Sequence, residues 1–291
     1  MRYVVGIDGG QSNTHAAVAD ETGAVVGRGT AGPADELGVR ADSTRLRDAL
    51  SQALEAARAA AALPRETTFD AVVAGLSGYD GRVRGVAPAL PAKRLRLVHD
   101  SVTARAGAFD GAPGVVVIAG TGSFAYGVDA DGREKTAGGW GYLFGDEGSA
   151  FWVAKTALIR AMHGTDAPIA QAALAYFDAP NLRVLAKRIY HGEITRDRVA
   201  AFTPTVLSMQ PQRYAEVGEE LAALAVAASP DSGERPRVAF VGGMVKDPKV
   251  RGAITAALNG KCDIVEPKRS PVEGAVLLAL RELHGEQWRA S

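Results

Sequence analysis

The stretch VVVIAGTGSFAYGVDADG, residues 115–132, has the same layout as VVGIDGGQSNTHAAVADETG, residues 4–23. Each begins with a β-branched run, passes through a small-residue turn that contains Ser, and continues into a second apolar run. Each then ends at an acidic turn closed by Gly, at 20–23 and at 129–132. Because β-branched runs bounded by glycine turns predict strands, the two stretches predict one structural unit that occurs twice.

Secondary-structure signals extend this repeat over the chain. The first copy predicts the order β-β-β-α-β-α-β-α, with a short helix before Pro91 and a small-residue helix from Ser101. The second copy predicts three strands, a helical insertion over about residues 146–230, and then β-α-β-α. Its closing helix has Ser270 as N-cap, Pro271 in its first turn and Gly285 beyond its end. We expect an α/β protein of two domains, residues 1–110 and 111–291, with a ligand cleft between them.

Composition excludes several classes of protein. The 291 residues are 47% hydrophobic and 23% charged, and the 33 basic residues balance the 33 acidic ones, so nothing predicts a nucleic-acid or membrane surface. Cys262 is the single cysteine, which excludes an internal disulfide and a cysteine-rich metal site within one chain. A strand-like run begins at Tyr3, and no apolar stretch is long enough for a membrane span, so we expect a soluble cytoplasmic protein.

Two glycine loops are candidate phosphate sites. DGGQS (8–12) and GTGS (120–123) each follow a strand, and glycine allows backbone N–H groups to converge on an anion while hydroxyls add donors. An ordinary pair of tight hairpin turns is the alternative. Their matched positions in a repeated unit favour a polyphosphate, and VGGM (241–244), glycines after a strand, would let an adenine or ribose approach. The candidate phosphate- and nucleoside-binding residues are Gly9, Gly10, Gln11, Ser12, Gly120, Thr121, Gly122, Ser123, Gly242 and Gly243.

A dinucleotide-binding fold is disfavoured by context. Gly120, Gly122 and Ala125 fit the Gly-x-Gly-x-x-Gly/Ala pattern, but that pattern needs a helix directly after the turn. The residues after the turn, FAYGVDADG (124–132), predict a strand and a hairpin turn instead. The chain also has no Walker loop, no metal-ligand spacing among its histidines and no Gly-x-Ser-x-Gly elbow.

Two aspartates end predicted strands. Asp8 lies beside the first glycine loop and is a candidate ligand of Mg²⁺, through water, or else a turn-capping residue. Asp100 ends LRLVHD (95–100), where a carboxylate can accept the proton of an attacking hydroxyl in phosphoryl transfer. The alternative for Asp100 is the N-cap of the following helix.

GGWGYLFGDEGSAFW (138–152) is the most unusual stretch of the chain. Glycines surround Trp140, and adjacent acids precede Ser149 at a predicted helix start. A capped helix, with Asp146 or Ser149 as N-cap, would explain part of the pattern. A tryptophan in a glycine-rich loop beside carboxylates also suits a polar ring with hydroxyls, which is the usual chemistry of sugar binding.

These motifs resemble the BadF/BadG/BcrA/BcrD ATPase family, specifically its N-acetylglucosamine kinase-like branch of the actin-like sugar kinases. IDGGQS (7–12) and AGTGS (119–123) look like its phosphate motifs, VGGM its adenosine motif, LVHD (97–100) the segment bearing the base, and SPVEGAVLLAL (270–280) its connecting helix. The resemblance implies a duplicated RNase H-like fold around an ATP cleft, a homodimer, and phosphorylation of an amino sugar at its 6-hydroxyl with Mg-ATP. It also implies a set of sugar-site residues: Asp35, Ser77, Gly78, Gly139, Trp140, Gly141 and Asp146, with Asp100 as the base.

The chain departs from the family pattern at Asp35, where the family often carries an Asn that binds sugar hydroxyls. An ionised Asp accepts hydrogen bonds but cannot donate them, so a free amine, as in glucosamine, would pair better with it than an acetamide. Two other functions are open. A dehydratase activase needs two cluster-binding thiolates per chain, and the chain has one cysteine; a catalytically inactive sugar or nucleotide sensor of the same fold is the other.

Overall fold

The computed structural model describes residues 1–35, 39–230, 235–286 and 288. Its chain forms two compact units. The first contains residues 1–116, 126–134 and 265–291, and the second contains residues 117–125 and 135–264.

The first sheet belongs to the first unit and has the order β3-β2-β1-β4-β5. β1 pairs antiparallel with β2 and parallel with β4, β2 pairs antiparallel with β3, and β4 pairs parallel with β5. The three parallel strands therefore end at one edge of the sheet, which is where ligands gather in such folds. The strands are β1 (Tyr3–Gly9), β2 (Thr14–Asp20), β3 (Val25–Ala31), β4 (Ala71–Leu76) and β5 (Leu95–His99).

Three helices cover the first sheet. α1 (Arg45–Ala60) packs on β3 and β2, and it lies so close that a Cβ on Gly27 of β3 would meet the Ala57 carbonyl oxygen at 2.2 Å. α2 (Asp100–Phe109) and the closing helix α11 (Pro271–His284) pack on each other, and α11 also contacts β1 and β4. Leu46, Leu50 and Leu54 of α1 are fully buried against Val5, Ile7 and Val18, so the leucine spacing that predicts this helix also forms the core.

The second sheet repeats the first. Its order is β10-β9-β6-β7-β8, which is the order of the first sheet when β6 is counted as its first strand. The strands are β6 (Gly114–Ala119), β7 (Ser123–Val128), β8 (Glu134–Gly138), β9 (Arg237–Val241) and β10 (Asp263–Ile264). The predicted duplication is therefore confirmed by strand order.

The acidic turns that close the repeated stretches have the same hydrogen bonds. The Asp20 carboxylate accepts from the Thr22 and Ala24 N–H groups at 2.9 and 3.2 Å, and the Asp129 carboxylate accepts from the Asp131 and Arg133 N–H groups at 2.9 and 2.8 Å. Gly23 and Gly132 have φ values of 89° and 76°, which a side chain disfavours. The residue types at these turns are thus set by their backbone.

The predicted helical insertion is confirmed in the second unit. Its helices lie between β8 and β9, and β9 is followed by a short 3₁₀ segment, Met244–Lys246, and by α10 (Pro248–Leu258). The inserted helices are α3 (Gly141–Phe144), α4 (Ala150–Met162), α5 (Ala167–Phe177), α6 (Leu182–Tyr190), α7 (Arg196–Ala200), α8 (Thr203–Met209) and α9 (Arg213–Ala227). None of the helices in the described part of the chain is both long and apolar enough to cross a membrane.

One predicted element is wrong. Residues 77–94, all of which the structure describes, contain no helix, although a short one was expected before Pro91. The segment is an extended loop instead, because Gly81 has a φ of 93°, Pro88 and Pro91 interrupt a helical hydrogen-bond pattern, and the Val86 N–H donates to the Ser43 carbonyl at 2.8 Å. The predicted final strand is also short, since β10 contains two residues.

The domain boundary between residues 110 and 111 stays a prediction. The compact units differ from it because α11, at the end of the chain, groups with the first unit. The cause is close packing: a Cβ on Gly274 of α11 would lie 2.1 Å from the Thr103 carbonyl oxygen of α2.

Candidate active site

The carboxyl edge of β1, β4 and β5 brings together four predicted site residues of the first unit. Asp8 is opposite Gly75 in the pairing of β1 with β4, and Leu76 is opposite His99 in the pairing of β4 with β5. Ser77 and Asp100 therefore follow directly after two adjacent strand ends. The Ser77 N–H donates to the Gly9 carbonyl at 2.9 Å, which fixes this turn beside the first glycine loop.

A chain of hydrogen bonds links the first glycine loop to Asp100. The Gln11 amide nitrogen Nε2 donates to Ser77 Oγ at 3.4 Å, and the Ser77 hydroxyl donates to the Asp100 carboxyl. The Gln11 Oε1 atom is buried and has no hydrogen-bond partner among the described residues. A buried acceptor without a partner is costly, so this atom is suited to a ligand donor. Predicted nucleotide, sugar and base residues thus meet in one network.

Asp8 and Asp100 lie in a setting that disfavours carboxylate charge. Burial, and then the charge of Asp100, raise the pKa of Asp8 to about 7. Burial also raises the pKa of Asp100, against the opposing effects of His99 and of hydrogen bonds from the Ser101 N–H and the Ser77 hydroxyl. Carboxyls with raised pKa values at the end of a sheet are typical of catalytic acids, bases and cation sites.

His99, rather than Asp100, caps helix α2. The His99 side chain accepts from the Ser101 N–H at 3.3 Å, and Asp100 is the first residue of the helix. The alternative role of Asp100 as N-cap is therefore wrong, because its backbone is already helical. His99 Nδ1 also lies 2.8 Å from Ser101 Oγ and 3.0 Å from Asp100 Oδ1. The Asp100 carboxyl therefore does not cap the helix and lies at the carboxyl ends of the parallel strands.

The segment after β3 is tied to the first glycine loop. The Ala34 N–H donates to the Gly10 carbonyl at 3.0 Å, and a Cβ on Gly9 would lie 3.1 Å from the Ala34 Cβ. The next residue, Asp35, is buried, and its Oδ1 accepts a hydrogen bond from Arg45 Nη1 at 3.1 Å. Asp35 therefore lies beside the first glycine loop, and its carboxylate is paired with the Arg45 guanidinium.

Gly78 and Ser12 complete the predicted residues of the first unit. Gly78 has a φ of 75°, so the turn after β4 requires a residue without a side chain there. Ser12 lies in the exposed turn between β1 and β2.

The second glycine loop packs against the start of α4. The Gly120 and Thr121 carbonyls accept from the Ala150 and Phe151 N–H groups at 2.9 and 3.2 Å, and Ser149 is the N-cap, accepting from the Trp152 N–H at 3.2 Å. The loop carbonyls thus use first-turn donors of the helix. The Gly120 and Ser123 N–H groups are also used, since they donate to the Gly122 carbonyl and to Asp146 Oδ1. The Gly122 N–H and the half-buried Thr121 are the candidate contacts for phosphate.

Ser123 and Asp146 hold this loop to the predicted sugar-binding loop. The Ser123 N–H donates to Asp146 Oδ1 at 3.3 Å, and the Ser123 hydroxyl donates to the Glu147 carbonyl at 2.7 Å. A Cβ on Gly122 would lie 2.9 Å from Asp146 Oδ1, so glycine lets the carboxylate approach. The Asp146 Oδ2 atom is buried without a hydrogen-bond partner among the described residues, and burial raises the pKa of this carboxyl.

Trp140 is placed very differently from Asp146. Its side chain is 75% exposed, at the start of α3, between Gly139 and Gly141, whose φ values are 78° and 73°. An exposed tryptophan on a backbone that needs glycine is not explained by core packing. It therefore remains available to a ligand.

The two glycines of the VGGM motif differ in role. Gly242 has a φ of 109°, and a Cβ there would lie 2.4 Å from the Ala119 carbonyl oxygen of β6, so packing alone requires glycine. A Cβ on Gly243 would meet nothing within 4 Å. Only Gly243 therefore offers open space for flat approach of a nucleoside.

A bound divalent cation would fit the donors present at Asp8. The described residues contain no group of three or more His, Cys, Asp or Glu side chains that could hold a metal ion by themselves. Mg²⁺ in phosphate sites is usually held by one or two carboxylates, phosphate oxygens and water. The raised pKa of Asp8, caused by burial and by Asp100, is the electrostatic condition that a cation would relieve.

Sequence reasoning missed two residues of this region, His99 and Arg45. A signal for Arg45 is present in the sequence, since a cation at the first residue of a helix opposes the helix dipole and needs a compensating partner. For His99 the signal is weaker, because histidine is an uncommon N-cap and its partner is the neighbouring residue.

The chain is similar to a known ATPase family and to a characterised type of sugar kinase. The profile of the BadF/BadG/BcrA/BcrD ATPase family matches residues 5–279. An N-acetylmuramic acid/N-acetylglucosamine kinase of Clostridium acetobutylicum is 27% identical over 229 residues, which are 72% of this chain and 71% of that protein.

Solved structures share the fold. The crystal structure of a candidate N-acetylglucosamine kinase from Chromobacterium violaceum is 29% identical, with a TM-score of 0.79 over 96% of this chain and 99% of that one. Another candidate N-acetylglucosamine kinase, from Porphyromonas gingivalis, is 19% identical with a TM-score of 0.73 over 98% of both chains. The α/β fold with duplicated RNase H-like sheets, expected from the sequence, is confirmed.

Proposed function

We propose a function from one premise: the chain belongs to the BadF/BadG/BcrA/BcrD ATPase family. The protein transfers the γ-phosphoryl group of ATP to the 6-hydroxyl of an amino sugar. Kinase relatives that carry N-acetylglucosamine in their names support this choice of substrate class.

The observation that carries the proposal is the environment of Asp100. Its carboxyl follows a parallel strand end, accepts a hydrogen bond from Ser77, and has a pKa raised by burial. A carboxylate with a raised pKa is a stronger base than an ordinary Asp, which suits general-base catalysis.

Asp100 acts on the sugar as the general base. Its carboxylate accepts the proton of the 6-hydroxyl as the oxygen attacks the γ-phosphorus, the new O–P bond forms, and the bond to the ADP oxygen breaks. Ser77 orients the carboxylate by its hydrogen bond, and Gln11 orients Ser77. Most of the rate comes from position and charge neutralisation, as in other phosphoryl transfers.

The nucleotide is bound by the glycine loops. The proposed contacts are residues 9–12, residues 120–122 and Gly243. Support comes from Gly120 and Gly243, where a Cβ would meet nothing within 4 Å, so each leaves open space at its turn. Asp8 would hold Mg²⁺, which supplies neutralisation of phosphate charge when bound. Ser123 and Gly242 have structural roles in these loops. The Ser123 hydroxyl donates to the Glu147 carbonyl, and Gly242 packs against the Ala119 carbonyl.

Each unit has its own candidate sugar contacts. In the second unit Trp140 offers an exposed ring and Asp146 Oδ2 offers a buried acceptor, and in the first unit Asp35 lies next to the first glycine loop. By the same resemblance we propose that Gly139, Gly141 and Gly78 line the sugar, and that the protein works as a cytoplasmic homodimer.

The test is an ATP-consumption panel over N-acetylglucosamine, glucosamine and N-acetylmuramic acid, with the position of the product phosphate determined by NMR. Asp100→Asn should bind ATP normally while its kcat falls by about 100- to 10,000-fold. Asp80→Asn is the matched control, because Asp80 is an exposed partner of Arg84 and its substitution should leave kcat unchanged.

Other outcomes would contradict the proposal. Normal turnover in Asp100→Asn would remove Asp100 as the base. Saturable sugar binding without ADP release would indicate a sensor. An activase is disfavoured in advance, since Cys262 is buried and is the one cysteine of the chain.

A further inference from the structure

Asp35 and Arg45 form an ion pair of unequal exposure. The distance from Arg45 Nη1 to Asp35 Oδ1 is 3.1 Å, the Asp35 side chain is 8% exposed, and the Arg45 side chain is 47% exposed. A buried carboxylate needs a compensating charge, and Arg45 supplies it. The pair therefore has a buried acceptor end and an exposed donor end.

Arg45 occupies a position that helix electrostatics disfavour. It is the first residue of α1, where the helix dipole presents partial positive charge. Thr44, before it, makes no side-chain cap. The hydrogen bond to Asp35 uses one of the five N–H donors of a guanidinium, which leaves further donors on an exposed group.

The pair lies beside the proposed sugar and phosphate residues. Ala34, which precedes Asp35, donates to the Gly10 carbonyl and contacts Gly9, the residue after Asp8. A Cβ on Gly9 would also lie 2.8 Å from Leu76 Cδ2, and Leu76 precedes Ser77. The ion pair is thus anchored to the same turns that hold the network of Gln11, Ser77 and Asp100.

We infer that Arg45 is a specificity-determining residue, which with Asp35 forms a donor–acceptor pair for two neighbouring hydroxyls of the sugar ring. Asp35 accepts from one hydroxyl and Arg45 donates to the other. The inference rests on the proposed function. Because the two charges cancel, the pair does not select a cationic substrate, so free glucosamine gains no charge-based preference over the N-acetylated sugar.

Calorimetric binding of N-acetylglucosamine, its 3-deoxy and 4-deoxy derivatives and glucosamine tests this inference without depending on turnover. Arg45→Ala should weaken N-acetylglucosamine binding by about 10- to 100-fold, the loss expected for a hydrogen bond from a charged donor. Arg45→Ala should also bind N-acetylglucosamine and the deoxy sugar that lacks the hydroxyl contacted by Arg45 with equal affinity. Arg47→Ala is the matched control, since Arg47 lies on the same helix and pairs with its neighbour Asp48.

The double variant Asp35→Asn/Arg45→Ala separates a sugar contact from a folding defect. An Asn amide supplies both an acceptor and a donor, so this variant should recover binding to within about fivefold of wild type. Unchanged binding in Arg45→Ala, no recovery in the double variant, or no binding of any amino sugar by wild type would overturn the role of Arg45. Binding without phosphorylation would instead overturn the kinase proposal and leave the Arg45 result interpretable.

Discussion

His99 Nδ1 lies 3.0 Å from Oδ1 of Asp100, the residue that follows it in the chain. The imidazole contributes a lowering of the Asp100 pKa that partly offsets the effect of burial. The histidine that caps α2 therefore also opposes the rise in the pKa of the proposed base.

We expect His99→Asn to move the acid limb of the pH–kcat profile to higher pH. Asn is a good N-cap and can replace the bond to the Ser101 N–H, but it lacks the electrostatic interaction by which His99 lowers the pKa of Asp100, so that pKa rises. A base works when deprotonated, so activity should fall severalfold on the acid side of the profile and change little on its alkaline plateau. Steady-state rates across the whole profile provide the measurement.

The control for this experiment is His163→Asn, which removes an exposed imidazole at the end of α4. Its profile should overlay that of wild type. An unshifted acid limb in His99→Asn would mean that the imidazole does not influence the base.

The ionised carboxylate of Asp8 should lower the free energy of unfolding of the nucleotide-free protein. Its pKa is raised from 3.8 to about 7 by burial and by Asp100, so the folded state holds a proton that the unfolded state releases. The destabilisation therefore begins as the pH rises above 3.8 and is complete above about pH 7. We expect Asp8→Asn to raise the melting temperature at pH 8 and to have a much smaller effect at pH 4.5.

The same variant should lose function. Asp8→Asn should require a higher Mg²⁺ concentration for half-maximal turnover, because a neutral amide is a poorer ligand of a hard cation. Thermal unfolding at both pH values and a Mg²⁺ titration with and without EDTA test the two effects. A variant that is both less stable at pH 8 and normal in its Mg²⁺ dependence would contradict this account of Asp8.

Local patterns predicted the fold well where one residue type fixes one backbone geometry. Gly23 and Gly132 mark the two equivalent turns, and Ser270 with Glu273 forms a capping box at the start of α11. Loops without such signals were not predictable. Residues 77–94 lack a helix partly because Val86 bonds to Ser43, a contact between segments distant in the sequence.

The candidate site shows the same division. Asp8, Ser77 and Asp100 follow strand ends, so sheet topology alone brings them to one edge. The charge of Asp35 could not be interpreted from its own position, because Arg45 is ten residues away and reaches it only in the folded unit. The amine preference suggested by an isolated Asp35 therefore no longer follows.

Trp140 should contribute to sugar affinity and little to stability. Because its side chain is 75% exposed, Trp140→Ala removes few internal contacts, and any loss of affinity reports a ligand contact. We expect the KM for the sugar to rise about tenfold, with the KM for ATP unchanged. Tyr190→Ala is the control, since Tyr190 is 92% exposed in another part of the same unit. An unchanged sugar KM would exclude stacking on Trp140.

Substitutions of Gly242 and Gly243 should have different effects, the first on stability and the second on nucleotide binding. Gly242→Ala places a methyl group 2.4 Å from the Ala119 carbonyl oxygen at a φ of 109°, so we expect a loss of about 2–4 kcal/mol in the free energy of unfolding. Gly243→Ala meets nothing within 4 Å and has a φ of −66°, so the protein should fold normally. If the nucleoside lies flat on this turn, Gly243→Ala should still raise the KM for ATP several-fold. Denaturant unfolding and ATP kinetics on the two variants measure these effects, and a normal KM for ATP in Gly243→Ala would exclude this turn from the adenosine site.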